Sequence, residues 1–127
     1  MFDADADLDE AARRVDDWQA RIEDQAARAR DLSGRVAGLT AVVASRDALV
    51  EVTVSATGAL TDLHLDEGIR RQPAAETAAL VLATLRAAQA ALASQVADAV
   101  AETIGLDSAA GRAVMASYRR GSSDAAG

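Results

Sequence analysis

The 127-residue chain has no cysteine, which excludes disulfides, thiolate metal sites and cysteine nucleophiles together. Lysine is missing too, so all 13 basic residues are arginine. His64 is the single histidine and cannot furnish a multi-histidine metal site. Phe2, Trp18 and Tyr118 are the only aromatics, and Pro73 is the only proline. The opening MFDADADLDE carries five acids and no base, the opposite of a secretory leader. No membrane-spanning run is expected, because Arg86 and Asp98 interrupt the most apolar stretch. These absences lead to the expectation of a soluble, cytoplasmic protein without a membrane partner.

What the chain has in excess is alanine. Half of the residues count as hydrophobic, but 33 are alanine. Each alanine buries little more than one methyl group, on the order of 0.8 kcal/mol. A chain of one domain's length therefore has a thin core as a monomer, and self-association is expected. Arginine without lysine, beside so much alanine, points to GC-rich coding more than to a selected chemistry. The formal net charge of -7 opposes a strong general affinity for nucleic acid, although a local basic surface can override it.

From Leu8 to Leu39, the residues Leu8, Ala11, Val15, Trp18, Ile22, Gln25, Ala29, Leu32, Val36 and Leu39 are spaced alternately by three and four. This heptad stripe predicts a long helix that packs against another surface, helical or not. Arg14, Arg21, Arg28 and Arg35 recur every seven residues, each four residues after an acid: Glu10, Asp17, Asp24 and Asp31. Such pairs contribute roughly 0.2 to 0.5 kcal/mol each. The row reads either as a self-neutralised solvated face or as a stripe that tracks phosphates. Gly34 and Gly38 weaken the helix near its end.

Between two helical segments lies VEVTVSATGALTDLHLD, Val50 to Asp66. Val50, Val52 and Val54 alternate with polar residues, as in a half-buried strand. A two-residue turn at Thr57-Gly58 would pair Val54 with Thr61, Val52 with Leu63 and Val50 with Leu65, placing the apolar residues on one face. Glu51 would then oppose His64, and Thr53 would oppose Asp62, on the other face. Upstream, Leu39, Ala41 and Val43 can join the apolar face if the chain turns around Arg46-Asp47, giving a three-stranded antiparallel meander. A sheet with one apolar face needs a cover, and the flanking helices are the available material.

Pro73 suits the first turn of a second long helix, Ala74 to Ile104. Val81, Leu85, Ala88, Leu92 and Ala99 form one stripe of it, with Leu82, Val96, Val100 and Ile104 beside. Gly105 ends it. Residues 1–10 read as an acidic extension, 11–104 as the domain, and 105–127 as a flexible tail. In that tail Asp107 or Ser108 is placed to cap a short helix reaching Tyr118.

No chemistry of catalysis stands out. His64 beside Glu51 could act as a base or a pH switch, but no nucleophile accompanies it in sequence, and a cross-strand pair accounts for it. There is no glycine-rich phosphate loop, no metal set and no catalytic pair, so no enzyme, cofactor or small-molecule substrate is expected.

The order helix, three-stranded meander, helix, with V-x-V-x-V, a glycine turn and a leucine-rich strand ending in Asp66, resembles the YbaB/EbfC family over roughly residues 11–104. The resemblance implies an α+β fold and a tweezer-like homodimer whose sheets meet centrally while helices project. It further implies a nucleoid-associated protein that binds DNA with little sequence preference. On that layout Arg13, Arg14 and Arg21 lie on one prong and Arg112, Arg119 and Arg120 near the other, as candidates for phosphate contact. Val43, Val50, Val52, Val54, Leu63 and Leu65 would form the core and dimer face of the sheet. Relatives in actinobacterial genomes also occur among proteins associated with type VII (ESX) secretion. Asp3, Asp5, Asp7, Asp9 and Glu10 crowd the prong tip, whereas backbone binding needs excess positive charge. That acidity motivates the alternative of a protein-interaction adaptor that has lost DNA binding.

Overall fold

The computed structural model describes residues 4–126, with side chains as far as Arg119. The elements are α1 (Ala4–Ala37), β1 (Ala41–Ala44), β2 (Val50–Val54), β3 (Leu60–Leu65), a 3-10 turn (Glu67–Arg71), α2 (Ala74–Thr103) and α3 (Ala109–Ala126). The strands form an antiparallel meander in the order β1-β2-β3, so the α+β architecture expected from the sequence is the one observed. Helix α1 runs unbroken through residue 10, and Asp5 and Asp7 in its first turn complement the helix dipole.

Alternation in β2 works as the period of two requires. Val50, Val52 and Val54 are fully buried, while Glu51 faces solvent. Ala41 opposes Val54 and Val43 opposes Val52, so β1 extends the same face. Val50 pairs with Leu65, Glu51 with His64, Val52 with Leu63 and Thr53 with Asp62, in the register read from the sequence. Nearer the turn the expectation fails. Val54 opposes Leu60, not Thr61, because the register shifts after Thr53. The turn is centred on Ala56-Thr57, closed by Gly58 N–H donating to the Ser55 carbonyl at 2.9 Å. Gly58, at φ 83°, follows it in the left-handed conformation of a three-residue hairpin loop. Thr61 is the extra residue, and its hydroxyl donates to the Thr53 carbonyl at 3.2 Å.

Helix α2 covers the sheet. Thr84, Ala88, Leu92, Val96 and Val100, each four residues after the last, are buried together with Ala99 and Thr103. Ala88, Leu92, Val96, Ala99 and Val100 of the expected stripes are buried, but Val81, Leu85 and Ile104 are only partly buried, and Leu82 is exposed. A row of i, i+4 residues drifts around the helix, as it must to follow a twisted sheet. The hydroxyls of Thr84 and Thr103 donate to the carbonyls of Leu80 and Ala99, both at 2.7 Å, so the polar atoms in the row are satisfied. Contrary to the expectation for a membrane span, α2 is long and apolar enough to qualify by length and mean hydropathy. The helix lays a core row on the sheet, although only 17% of its most apolar window is buried within the chain.

One helix is about 10 Å wide and strands lie about 4.8 Å apart, so α2 can cover two strands but not three. It packs on β2 and β1. The consequence falls on β3, where Leu63 and Leu65 share the buried face of β2 by register yet are 39% and 40% exposed. Their assignment to the core is therefore corrected for a single chain, and Val43 is half-buried.

Pro73 stands at the N-cap position of α2, its carbonyl accepting from Glu76 and Thr77 N–H. Gly105, at φ 83°, ends the helix with its N–H donating to the Val100 carbonyl at 2.7 Å. Beyond it, the expected short helix to Tyr118 is longer, reaching Ala126. Ser108 caps it, its hydroxyl oxygen accepting from Gly111 N–H at 2.9 Å. Helix α3 folds back on α2, and the Tyr118 hydroxyl donates to the Ala56 carbonyl at 2.9 Å.

Candidate nucleic-acid interface

Phosphate contact needs guanidinium groups that are exposed and not already neutralised by a neighbouring carboxylate. Helix α1 supplies the exposure: Leu32 is its one buried residue among those described, and every residue from Ala4 to Asp31 is exposed. At 1.5 Å per residue, that outer part is roughly 40 Å long. Its foot is held where Leu32 enters the core and Val36 and Leu39 pack against it.

Along this arm the predicted acid-before-arginine pairing is realised in three places. Arg14 meets Glu10 at 2.9 Å, Arg28 meets Asp24 at 2.9 Å and Arg35 meets Asp31 at 3.4 Å. Arg35 also reaches Glu102 of α2 at 2.6 Å, a pair that sequence spacing could not reveal. Asp17 and Arg21 form no such pair, and Arg13 likewise has no acidic partner among the described residues. Exposed pairs are worth at most about 1 kcal/mol and are screened by salt, so Arg14 remains able to exchange Glu10 for a phosphate. The arm thus presents Arg13, Arg14 and Arg21 within about three turns.

The other candidates lie elsewhere. Helix α3 reverses after Gly105 and returns towards the hairpin, where the Tyr118 hydroxyl meets the Ala56 carbonyl; Arg119 follows Tyr118 in the chain. Arg112 and Arg119 are exposed and have no acidic partner among the described residues, while the side chain of Arg120 lies outside them. The two groups of arginines therefore sit on different helices, one on α1 and the other on α3, which packs on α2. Val50, Val52 and Val54 are brought together, as the core.

Few features suggest any other chemistry. Among the described residues no group of three or more histidine, cysteine, aspartate and glutamate residues is placed to hold a metal ion. Asp47 has its carboxyl held below the usual range, first by the Ser45 hydroxyl donating to it at 2.6 Å and then by Leu49 N–H at 3.2 Å. That is turn chemistry between β1 and β2. A cleft between Ala56, Gly58, Gln89, Leu92 and Tyr118 contains one buried acceptor without a partner, Gln89 Oε1, and no acid-base pair. Sequence reading passed over the exposure of the α1 stripe itself: Leu8, Val15, Trp18 and Ile22 are 67%, 52%, 57% and 43% exposed. Heptad spacing shows that a stripe exists but not whether the same chain covers it.

Compared with known proteins, residues 7–106 match the model of the YbaB/EbfC DNA-binding family. No curated protein and no solved structure matches the chain.

Proposed function

The chain belongs to the YbaB/EbfC DNA-binding family, and from that premise we propose that it is a nucleoid-associated protein of the cytoplasm that binds DNA as a homodimer with little sequence preference. The observation that carries this reading is the family match over most of the chain. The exposed arm supports it by offering Arg13 and Arg21 without acidic partners among the described residues, with Arg14 beside them. Guanidinium groups on one helical arm meet the sugar-phosphate backbone, which is the same whatever the bases, and so read no sequence. Catalysis has no part in this role.

Dimerisation is supported by what α2 leaves uncovered. Leu60, Leu63 and Leu65 on β3 are 44%, 39% and 40% exposed, and β3 is an edge strand whose outer backbone groups lack a neighbour in the sheet. A second copy set against this edge and face would bury the leucines and complete the thin core. Two arms would then project from one centre.

Binding to a random-sequence duplex, measured at low and near-physiological salt alongside the mass in solution, tests the proposal. It requires a dimer whose affinity falls steeply with salt and survives scrambling of the DNA sequence. A dimer that never binds DNA, even at low salt, would contradict it.

A further inference from the structure

We infer that the apolar seam of α1 is a docking site for an amphipathic helix of another protein that carries glutamate or aspartate along the flanks of its own apolar seam. The inference shares Arg14 and Arg21 with the DNA reading but adds the apolar seam beside them, and its test contains no DNA, so either reading can fail alone. Leu8, Val15 and Ile22 alternate with Ala11, Trp18 and Gln25 in the a and d positions of successive heptads, and all are exposed. A contiguous apolar strip on an otherwise charged helix marks an interaction site. Below it, Gln25 and Ala29 border a cleft of about 590 Å³ against Ile104, Ser108 and Ala109 of the α2–α3 junction, so the strip runs into a recess.

Charge selects the occupant. In this register Arg14, Arg21 and Arg28 fill the flanking g positions, whereas the opposite flank holds Gln19, Ala26 and Ser33. The acids Glu10, Asp17 and Asp24 lie on the outer side of the arginine row, away from the seam. A second α1 lying parallel would set its neutral flank against these arginines and stack Trp18 on Trp18 and Gln25 on Gln25. Laid antiparallel it would set arginine against arginine. Only a helix with acidic flanks supplies opposite charge at each heptad and leaves Trp18 free to enter a hole of its own.

Trp18 is the only tryptophan in the chain, so its emission reports the seam directly. The probe is a synthetic peptide of about three heptads with isoleucine and leucine at a and d and glutamate at e and g, compared with its lysine-flanked counterpart. The glutamate peptide should shift Trp18 emission to the blue and bind at least about tenfold tighter than the lysine peptide. Arg14→Glu with Arg21→Glu should reverse that preference. Ile22→Asp should abolish binding and leave the circular dichroism unchanged, since Ile22 lies outside the core. No shift with either peptide, equal binding of both, or a blue shift that follows protein concentration without peptide would each overturn the inference, the last in favour of a second copy.

Discussion

The two long helices of this chain are both rich in alanine and have opposite fates. Helix α2 lays Ala88, Leu92, Val96 and Val100 on the sheet, whereas α1 buries Leu32 and leaves Leu8, Val15, Trp18 and Ile22 in solvent. The helix with the cleaner heptad stripe is the exposed one. Its stripe is flanked by arginine and backed by acids, whereas α2 has only Glu76, Arg86, Asp98 and Glu102 as charged residues. An apolar stripe thus states that a helix wants a partner. Charge density decides whether that partner is the chain's own sheet or something outside it.

The largest effect should come from placing the same charge in each region. Val52→Asp puts a carboxylate among fully buried valines and should cost about 4 kcal/mol or more, enough to unfold the protein in a urea titration. Trp18→Asp on the arm should change the stability of the monomer by no more than about 0.5 kcal/mol. Equal losses at both sites would erase the distinction between body and arm.

A smaller loss is expected where α3 returns onto α2. A Cβ added at Gly111 would overlap the Gly105 carbonyl oxygen and press on Val100 at 3.1 Å. Gly111→Ala should therefore destabilise by about 1 to 3 kcal/mol in thermal unfolding and loosen α3. Tyr118→Phe removes only the hydroxyl that reaches the Ala56 carbonyl, and should cost about 0.5 to 1.5 kcal/mol by the same measurement. A Tyr118 variant as damaging as that at Gly111 would show that the hydrogen bond, not close packing, docks α3.

The smallest effect is one of pH. The Asp47 carboxyl is lowered in the folded state by the Ser45 hydroxyl and then by Leu49 N–H. A lowered folded value means that its contribution is fully present above the unfolded carboxyl value of about 3.9 and disappears as the pH falls through the folded value. Asp47→Ala should accordingly lower stability slightly at neutral pH and make no difference in strong acid. A variant that differs from the parent chain most at low pH would contradict the sign.

Much of the body was legible because its rules are local. Alternation fixed the face of Val50, Val52 and Val54, and pairing put Glu51 opposite His64. Glycine at a turn was also visible, but not its place in the loop. The left-handed residue follows the two turn residues, so the end of the hairpin shifts by one and Leu60 takes the position expected for Thr61. The exposure of Leu63 and Leu65 follows from the width of one helix against three strands, which no pattern within β3 encodes. The return of α3 depends on contacts between residues far apart, Tyr118 with Ala56 and Gly111 with Gly105. In the candidate interface, the spacing of acids and arginines foretold the pairs at Arg14, Arg28 and Arg35. It did not tell that Arg112 and Arg119 would lie on a helix that folds back on α2.

The most direct test of the central claim is the affinity for a random-sequence duplex of the variant with Arg13, Arg14 and Arg21 all changed to glutamate, set beside the variant with Arg112 and Arg119 changed likewise. The arm variant should lose binding and salt dependence while remaining folded, with a lesser loss from α3. Unaltered DNA affinity in the arm variant would contradict the claim.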